Sequence, residues 1–308
     1  MTAPQWYTDA LAVPRSDEEI TVDGCRIHYL TWGEAGRRGL VFVHGGAAHA
    51  HWWTHVAARF AGRYRIAALD LSGHGDSDRR ENYSLNQWSD EVMSVAGNSG
   101  MVGRPLIVGH SMGGFVTIVT AARYSEDLAG VIVCDSPVTA PDPEIDAARL
   151  GKAFGAPHIY RTQAEALSRF RTIPEQENYL DFVMAEIAAQ SLKEVDGGWA
   201  WKFDHRVFRG HHAHPRTVAR EYLDQISCRF ALLRAEHGLV TEDIGQFMYE
   251  MLGRVNPVIE IPEAGHHLML DQPLSLLTAI RTLAADWDHS LPRTRGSEAG
   301  SRHEKDRS

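Results

Sequence analysis

The chain has 308 residues, room for one large α/β domain with an insertion or for two small domains. Hydrophobic residues make up 44% and charged residues 23%, the balance of a soluble globular protein. The formal net charge of −9 argues against nucleic acid as a partner, and no run approaches the roughly 20 apolar residues of a membrane span.

Met1 to Ile20 shows no basic stretch followed by an apolar one, so no secretory signal is read there. Ile20-Thr-Val and Cys25 to Thr31 flank Asp23-Gly24, a hairpin signal. Strands and helices then alternate. Leu40 to Val43 is expected as a strand, the segment around Trp52 to Phe60 as a helix, Tyr64 to Leu69 as a strand and Leu85 to Val95 as a helix. The strand at Leu106, the helix from Met112 and the strand Gly130 to Cys134 follow. Near-continuous apolar strands in such an alternation imply a parallel sheet covered on both faces. The pattern breaks after Pro137 and returns at Arg229-Phe-Ala-Leu-Leu233. Residues 20–138 and 227–289 are therefore read as the core, and 139–226 as a helical cap over the carboxyl ends of the strands, where such sheets bind ligands. The charged tail 290–308 is expected to be disordered. Cys25, Cys134 and Cys228 are unclustered and lie in strand-like runs, which favours buried thiols in a reducing cytoplasm over disulfides or metal ligation.

The short strand at Leu106 meets Gly109-His110-Ser111-Met112-Gly113, a G-x-S-x-G match, and a helical pattern follows. That context puts the Ser111 hydroxyl on a sharp strand-to-helix turn, where Gly109 and Gly113 let backbone pass close by. Upstream, Leu40 to Val43 runs into His44-Gly45-Gly46. Downstream, the strand Val258 to Pro262 leads to Gly265-His266-His267. With Asp70-Leu-Ser-Gly73-His-Gly75-Asp-Ser77, similar to a D-x-x-G-x-G-x-S turn, these motifs make the chain resemble the α/β-hydrolase fold family over roughly residues 20–287.

The resemblance implies a mostly parallel central sheet flanked by helices, with Ser111 as nucleophile and His266, after its glycine, as base. It implies an oxyanion hole from the amides of Gly46 and Met112, with His44 bonding the turn. Most of the family carries the acid after the seventh core strand in a stretch like G-x-x-D. Here that position is Gly238, which has no side chain. Asp135, at the end of the sixth strand, is the first candidate for the acid, with an Asx-turn before Pro137 as its structural alternative; Glu236 is the second. Asp70 and Asp76 are read as structural. Metal binding at His51-Trp-Trp-Thr-His55 is disfavoured because the zinc-peptidase pattern needs glutamate where Trp52 stands, and no metal or other cofactor is expected. His211, His212 and His214 are read as surface or pocket residues. Trp201 and Phe208 are candidates for the pocket wall. The expected activity is hydrolysis of small or medium apolar carboxylic esters through an acyl-enzyme. A C–C hydrolase, a lactonase, a cofactor-free oxygenase and a non-turnover binding protein are the alternatives. Relatives that open epoxides or remove halogens use an aspartate nucleophile, which is absent at position 111.

Overall fold

A computed structural model describes residues 2–139, 157–208 and 215–289. The tail 290–308 and the histidines at 211, 212 and 214 lie outside the described residues. β1 (Arg15–Val22) and β2 (Cys25–Trp32) pair antiparallel, and Asp23 and Gly24 turn between them with φ of 47° and 74°. β3 (Arg38–Val43), β4 (Arg65–Leu69), β5 (Val102–His110), β6 (Gly130–Cys134), β9 (Phe230–His237) and β10 (Val258–Gly265) follow in chain order, with β7 (Leu192–Val195) and β8 (Gly198–Trp201) between β6 and β9. Eight strands form one sheet in the order β1-β2-β4-β3-β5-β6-β9-β10, parallel from β4 onward.

The apolar runs of the central strands feed two cores, because alternate side chains leave opposite faces of a sheet. Leu40, Phe42, Leu106, Val108 and Ile132 join Trp53, Leu276 and Ile280 on one face. Val41, Val43, Ile107, Val131 and Val133 join Trp88, Val92 and Val119 on the other. A fully buried side chain of this kind contributes roughly 1.5–3 kcal/mol, so the parallel strands are firmly held. Helices Leu85–Asn98 and Met112–Arg123 cover the second face, and Pro273–His289 packs on the first. The Ser84 hydroxyl caps Leu85–Asn98 by accepting from the Gln87 amide.

Between β6 and β9 lie helices Gln163–Leu167, Asp181–Gln190 and Pro215–Arg220, and also the antiparallel hairpin β7–β8. The hairpin departs from the all-helical expectation. Asp196-Gly197 turns it, with Gly197 at φ 89°, the same pair of residue types that turns β1 into β2. This segment joins the loop after β4: the Gly75 amide donates to the Lys202 carbonyl and the Asp204 amide to the Gly73 carbonyl, both at 2.7 Å. The three thiols are free; Cys228 is only half-buried because it precedes β9 rather than lying within it. No helix among the described residues is long and apolar enough to cross a membrane.

Candidate active site

Ser111 sits between β5 and helix Met112–Arg123 with φ 53° and ψ −119°, a conformation few non-glycine residues adopt. Packing imposes it. A Cβ on Gly113 would strike the carbonyls of Val43 and His44, and one on Gly109 would strike Thr117 and the Gly113 carbonyl. The helix can therefore start against the ends of β3 and β5, and the Ser111 amide is held by the Cys134 carbonyl at 3.1 Å.

His266 follows β10 and lies beside this turn. Its Nε2 is 3.0 Å from Ser111 Oγ and its Nδ1 is 2.7 Å from Asp135 Oδ2. Asp135 follows β6 at φ 45° and is fully buried. Its carboxylate also accepts from the amides of Leu239 (2.7 Å), Val240 (3.1 Å) and Ala235 (3.3 Å). Burial pushes this carboxyl up, but the hydrogen bond and charge of His266, with the Leu239 and Val240 amides, outweigh it and hold it below its ordinary value. An ionised carboxylate only accepts, so Nδ1 carries the proton and Nε2 turns a lone pair to the Ser111 hydroxyl. A Cβ on Gly238 would fall onto the Asp135 carboxylate, 2.6 Å from its Cγ. The space that a side chain at 238 would fill is taken by an acid arriving from β6. Glu236 is exposed at the end of β9, where it accepts from the Glu263 amide at 2.8 Å rather than from His266.

Gly46 and Met112 meet beside Ser111: an ideal Cβ on Gly46 would lie 3.7 Å from Met112 Sδ and 3.1 Å from Phe208 Cε1. Neither amide makes a backbone hydrogen bond among the described residues. The turn carrying Gly46 is fixed by His44, whose Nε2 accepts from the Leu71 amide at 3.0 Å while Nδ1–H donates to the Gly45 carbonyl at 2.7 Å. Asp70 holds the neighbouring loop, accepting from the amides of Ala50 (2.6 Å) and Asp76 (2.8 Å) and from His28 Nδ1 (2.8 Å). Burial pushes Asp70 up, yet the His28 hydrogen bond and the charge of His28 carry it well below its ordinary value.

A cavity of about 330 Å³ opens beside Gly46 and runs under the residues between β6 and β9. Trp201 is in its wall, with Trp52, Phe170 and Phe203. Phe208 is not in that wall; it packs over Gly46. A larger, open depression of about 730 Å³ around Arg234, Tyr249 and Pro257 contains none of the residues above.

A model of the alpha/beta hydrolase family matches residues 40–279. The chain belongs to that family. Among its relatives, Epoxide hydrolase 4 of Mus musculus is 31% identical over 121 residues, 38% of this chain and 33% of that protein, so the match spans about a third of the relative's length. Esterase Rv0045c of Mycobacterium tuberculosis is 25% identical over 270 residues, 83% of this chain and 85% of the relative. The solved structure of E-2-(acetamidomethylene)succinate hydrolase superposes with a TM-score of 0.77 at 20% identity, covering 88% of this chain and 100% of that one, a likeness of fold.

In this alpha/beta hydrolase, the surroundings of His266 include residues that sequence patterns alone do not single out. His110 Nε2 donates to the His266 carbonyl at 2.8 Å, and burial together with His266 pushes His110 down to about 3. His267 donates from Nε2 to the Pro174 carbonyl at 3.2 Å, and its amide donates to Gln176 Oε1 at 2.8 Å. Gln176 Nε2 donates to Asp271 Oδ2 at 3.0 Å, which also receives the Gly265 amide at 2.5 Å. A glutamine between β6 and β9 is thus bonded to both sides of the histidine loop. Gln176 carries no local motif; its only sequence trace is Gly265, where a Cβ would lie 2.6 Å from the Gln176 amide.

Two groups among the described residues bring three metal-binding side chains together: His110, His266 and His267, and His28, Asp70 and Asp76. In the first, His266 spends both nitrogens on Ser111 and Asp135; in the second, His28 spends its two on Asp70 and Asp17. His51 and His55 are buried and separately engaged, His55 with the Met269 carbonyl at 2.8 Å and His51 with Thr54 at 3.5 Å.

Proposed function

We propose that this chain is a serine hydrolase that cleaves small or medium carboxylic esters with apolar chains through an acyl-enzyme. The hydrogen-bonded series Asp135–His266–Ser111, at 2.7 and 3.0 Å with Nε2 as acceptor, carries the reading. Ser111 Oγ attacks the ester carbonyl as His266 Nε2 takes its proton, and Asp135 stabilises the imidazolium. The carbonyl oxygen, now anionic, accepts from the Gly46 and Met112 amides. His266 returns the proton to the departing alcohol, which leaves Ser111 acylated. Water then attacks the acyl carbon with His266 again as base, releasing the acid and restoring the hydroxyl. Nucleophile, base and electrophilic amides all come from the chain, so the scheme needs no cofactor. In the same reading, residues 20–138 and 227–289 supply the reaction while 139–226 roofs the pocket, and the protein works in the cytoplasm.

The relatives named esterase support ester chemistry. Those named epoxide hydrolase share the fold, but nucleophilic attack by a carboxylate would require an acid at position 111. A fluorophosphonate probe should label one residue, Ser111. Ser111→Ala should abolish labelling and lower ester turnover by on the order of 10⁶, the scale for loss of a triad serine. Stoichiometric labelling of that variant overturns the assignment.

A further inference from the structure

We propose that the substrate carries an anionic group, a carboxylate or a phosphate, and that Arg169 and Arg171 of the cavity wall receive it. The inference rests on the serine-hydrolase reading of the same site and adds to it the class of substrate.

The cavity draws its wall from two sources. Gly46, His49, Trp52 and His267 come from the strand-end side, next to the oxyanion turn, and carry no fixed charge. Among the described residues, every permanently charged residue of the wall comes from the segment between β6 and β9, and each is a cation. This is the reverse of the chain as a whole, which has 40 acidic and 31 basic residues. Lys202 gives its ammonium to Asp76 at 2.6 Å. Arg169 makes no ion pair or side-chain hydrogen bond among the described residues. The Arg171 guanidinium bonds the Phe170 carbonyl at 2.6 Å and the Ser168 carbonyl at 3.3 Å, contacts that orient it without cancelling its charge. Two exposed arginines of the wall therefore have no carboxylate partner among the described residues, and their planar forks suit a carboxylate or phosphate.

The uncharged side of the wall shares Gly46 with the oxyanion turn. The Ser191 hydroxyl donates to the Ile187 carbonyl, so it accepts from His49 Nε2–H and fixes that tautomer. Burial keeps His49 and His267 neutral. The buried Trp52 indole N–H has no partner among the described residues, and a bound ester oxygen would satisfy it. Phe170 and Trp201, their rings 5.7 Å apart, also line the cavity and offer apolar surface to a short chain linking ester and anion.

The test compares kcat/KM for isosteric pairs. Monomethyl adipate is set against methyl hexanoate, with methyl 5-phosphonopentanoate as the phosphonate arm. The alcohol side is probed with 5-(butanoyloxy)pentanoate against pentyl butanoate. At low salt, the anionic member of at least one pair should lead by about tenfold, the scale of one charge-assisted hydrogen bond. The lead should shrink as ionic strength rises and fall to within about twofold of unity in the Arg169→Gln/Arg171→Gln double variant. A ratio near or below one in every pair, while neutral esters turn over, overturns the anionic assignment alone. So does a lead that survives the double variant unchanged. Absence of both ester turnover and Ser111 labelling overturns the serine-hydrolase reading, and this inference with it.

Discussion

The strand-end side of the site and the segment that faces it are constructed differently. On the first, Ser111 and Asp135 both stand at positive φ, a strain of roughly 1–3 kcal/mol each. Each is held by the chain around it: Ser111 by the close approach of β3 to helix Met112–Arg123, Asp135 by three amides and a histidine. On the second side, a hairpin of two four-residue strands and short helices join the core through buried Val183, Ile187, Ala219 and Leu223 and through polar contacts. These include Gln176 to the histidine loop, Lys202 to Asp76 and Tyr83 to Asp204. Groups that must meet within a few tenths of an ångström rise from parallel strands. The groups facing the substrate ride on pieces whose sequence can change without disturbing the sheet.

The sharpest way to break this comparison is to move the acid. Asp135→Asn should leave the fold intact and lower kcat by on the order of 10³–10⁴, as when a triad's orienting carboxylate is lost. Pairing Asp135→Gly with Gly238→Asp should recover a measurable part of that rate, since removing one side chain clears the space for the other. Asp135→Asn with Gly238→Asp should recover none, because two side chains would contend for one site. Glu236→Gln should cost less than about tenfold, the scale of a peripheral hydrogen bond; steady-state kinetics of the four variants decide the placement. A crippled Glu236→Gln beside a near-normal Asp135→Asn would sink it.

A second prediction concerns rigidity. Asp70→Asn removes a buried charge that three donors satisfy, and unfolding in urea should show a loss of about 3–5 kcal/mol. The folded carboxyl is held far below its ordinary 3.8, so its contribution is complete above that pH and is lost as pH falls toward the folded value. The gap between wild type and variant should therefore narrow below about pH 4. A gap that stays constant down to pH 2 would show that the charge is not what Asp70 contributes.

The smallest effect belongs to the facing wall. Trp201→Ala should change the kcat/KM ratio of an eight-carbon to a two-carbon acyl ester by roughly tenfold, within the 1–3 kcal/mol of hydrophobic pocket discrimination. Its melting temperature should shift by less than about 4 °C, since the side chain is only half-buried. Unchanged chain-length preference would remove Trp201 from the binding site.

Local chemistry made much of this legible. A serine between glycines at a strand-to-helix junction, a glycine before a histidine, and Asp-Gly between alternating runs all act over a few residues. The same Asp-Gly signal recurs at 196–197, but Trp199 and Trp201 after it make that stretch resemble a pocket wall before it resembles a hairpin. Asp135 is legible through the resemblance, which implies an acid near position 238 or at the end of the sixth strand, and position 238 offers no side chain. The steric reason for that glycine was not readable, since the two positions are about a hundred residues apart and meet only when β6 and β9 pair. Gln176 was hidden for the same reason: its partners lie some ninety residues further along the chain.

The fit of Asp135 into the space above Gly238 also constrains the history of such a site. A chain with its acid at 238 could not gain a second at 135 while keeping the first, because both would occupy one volume. The position at 238 must empty before, or together with, the arrival of the new carboxylate, so a path of single changes passes through a form in which the histidine has no acid at all. Once the glycine is in place the return is equally closed, since even an alanine there would press on the acid that replaced it.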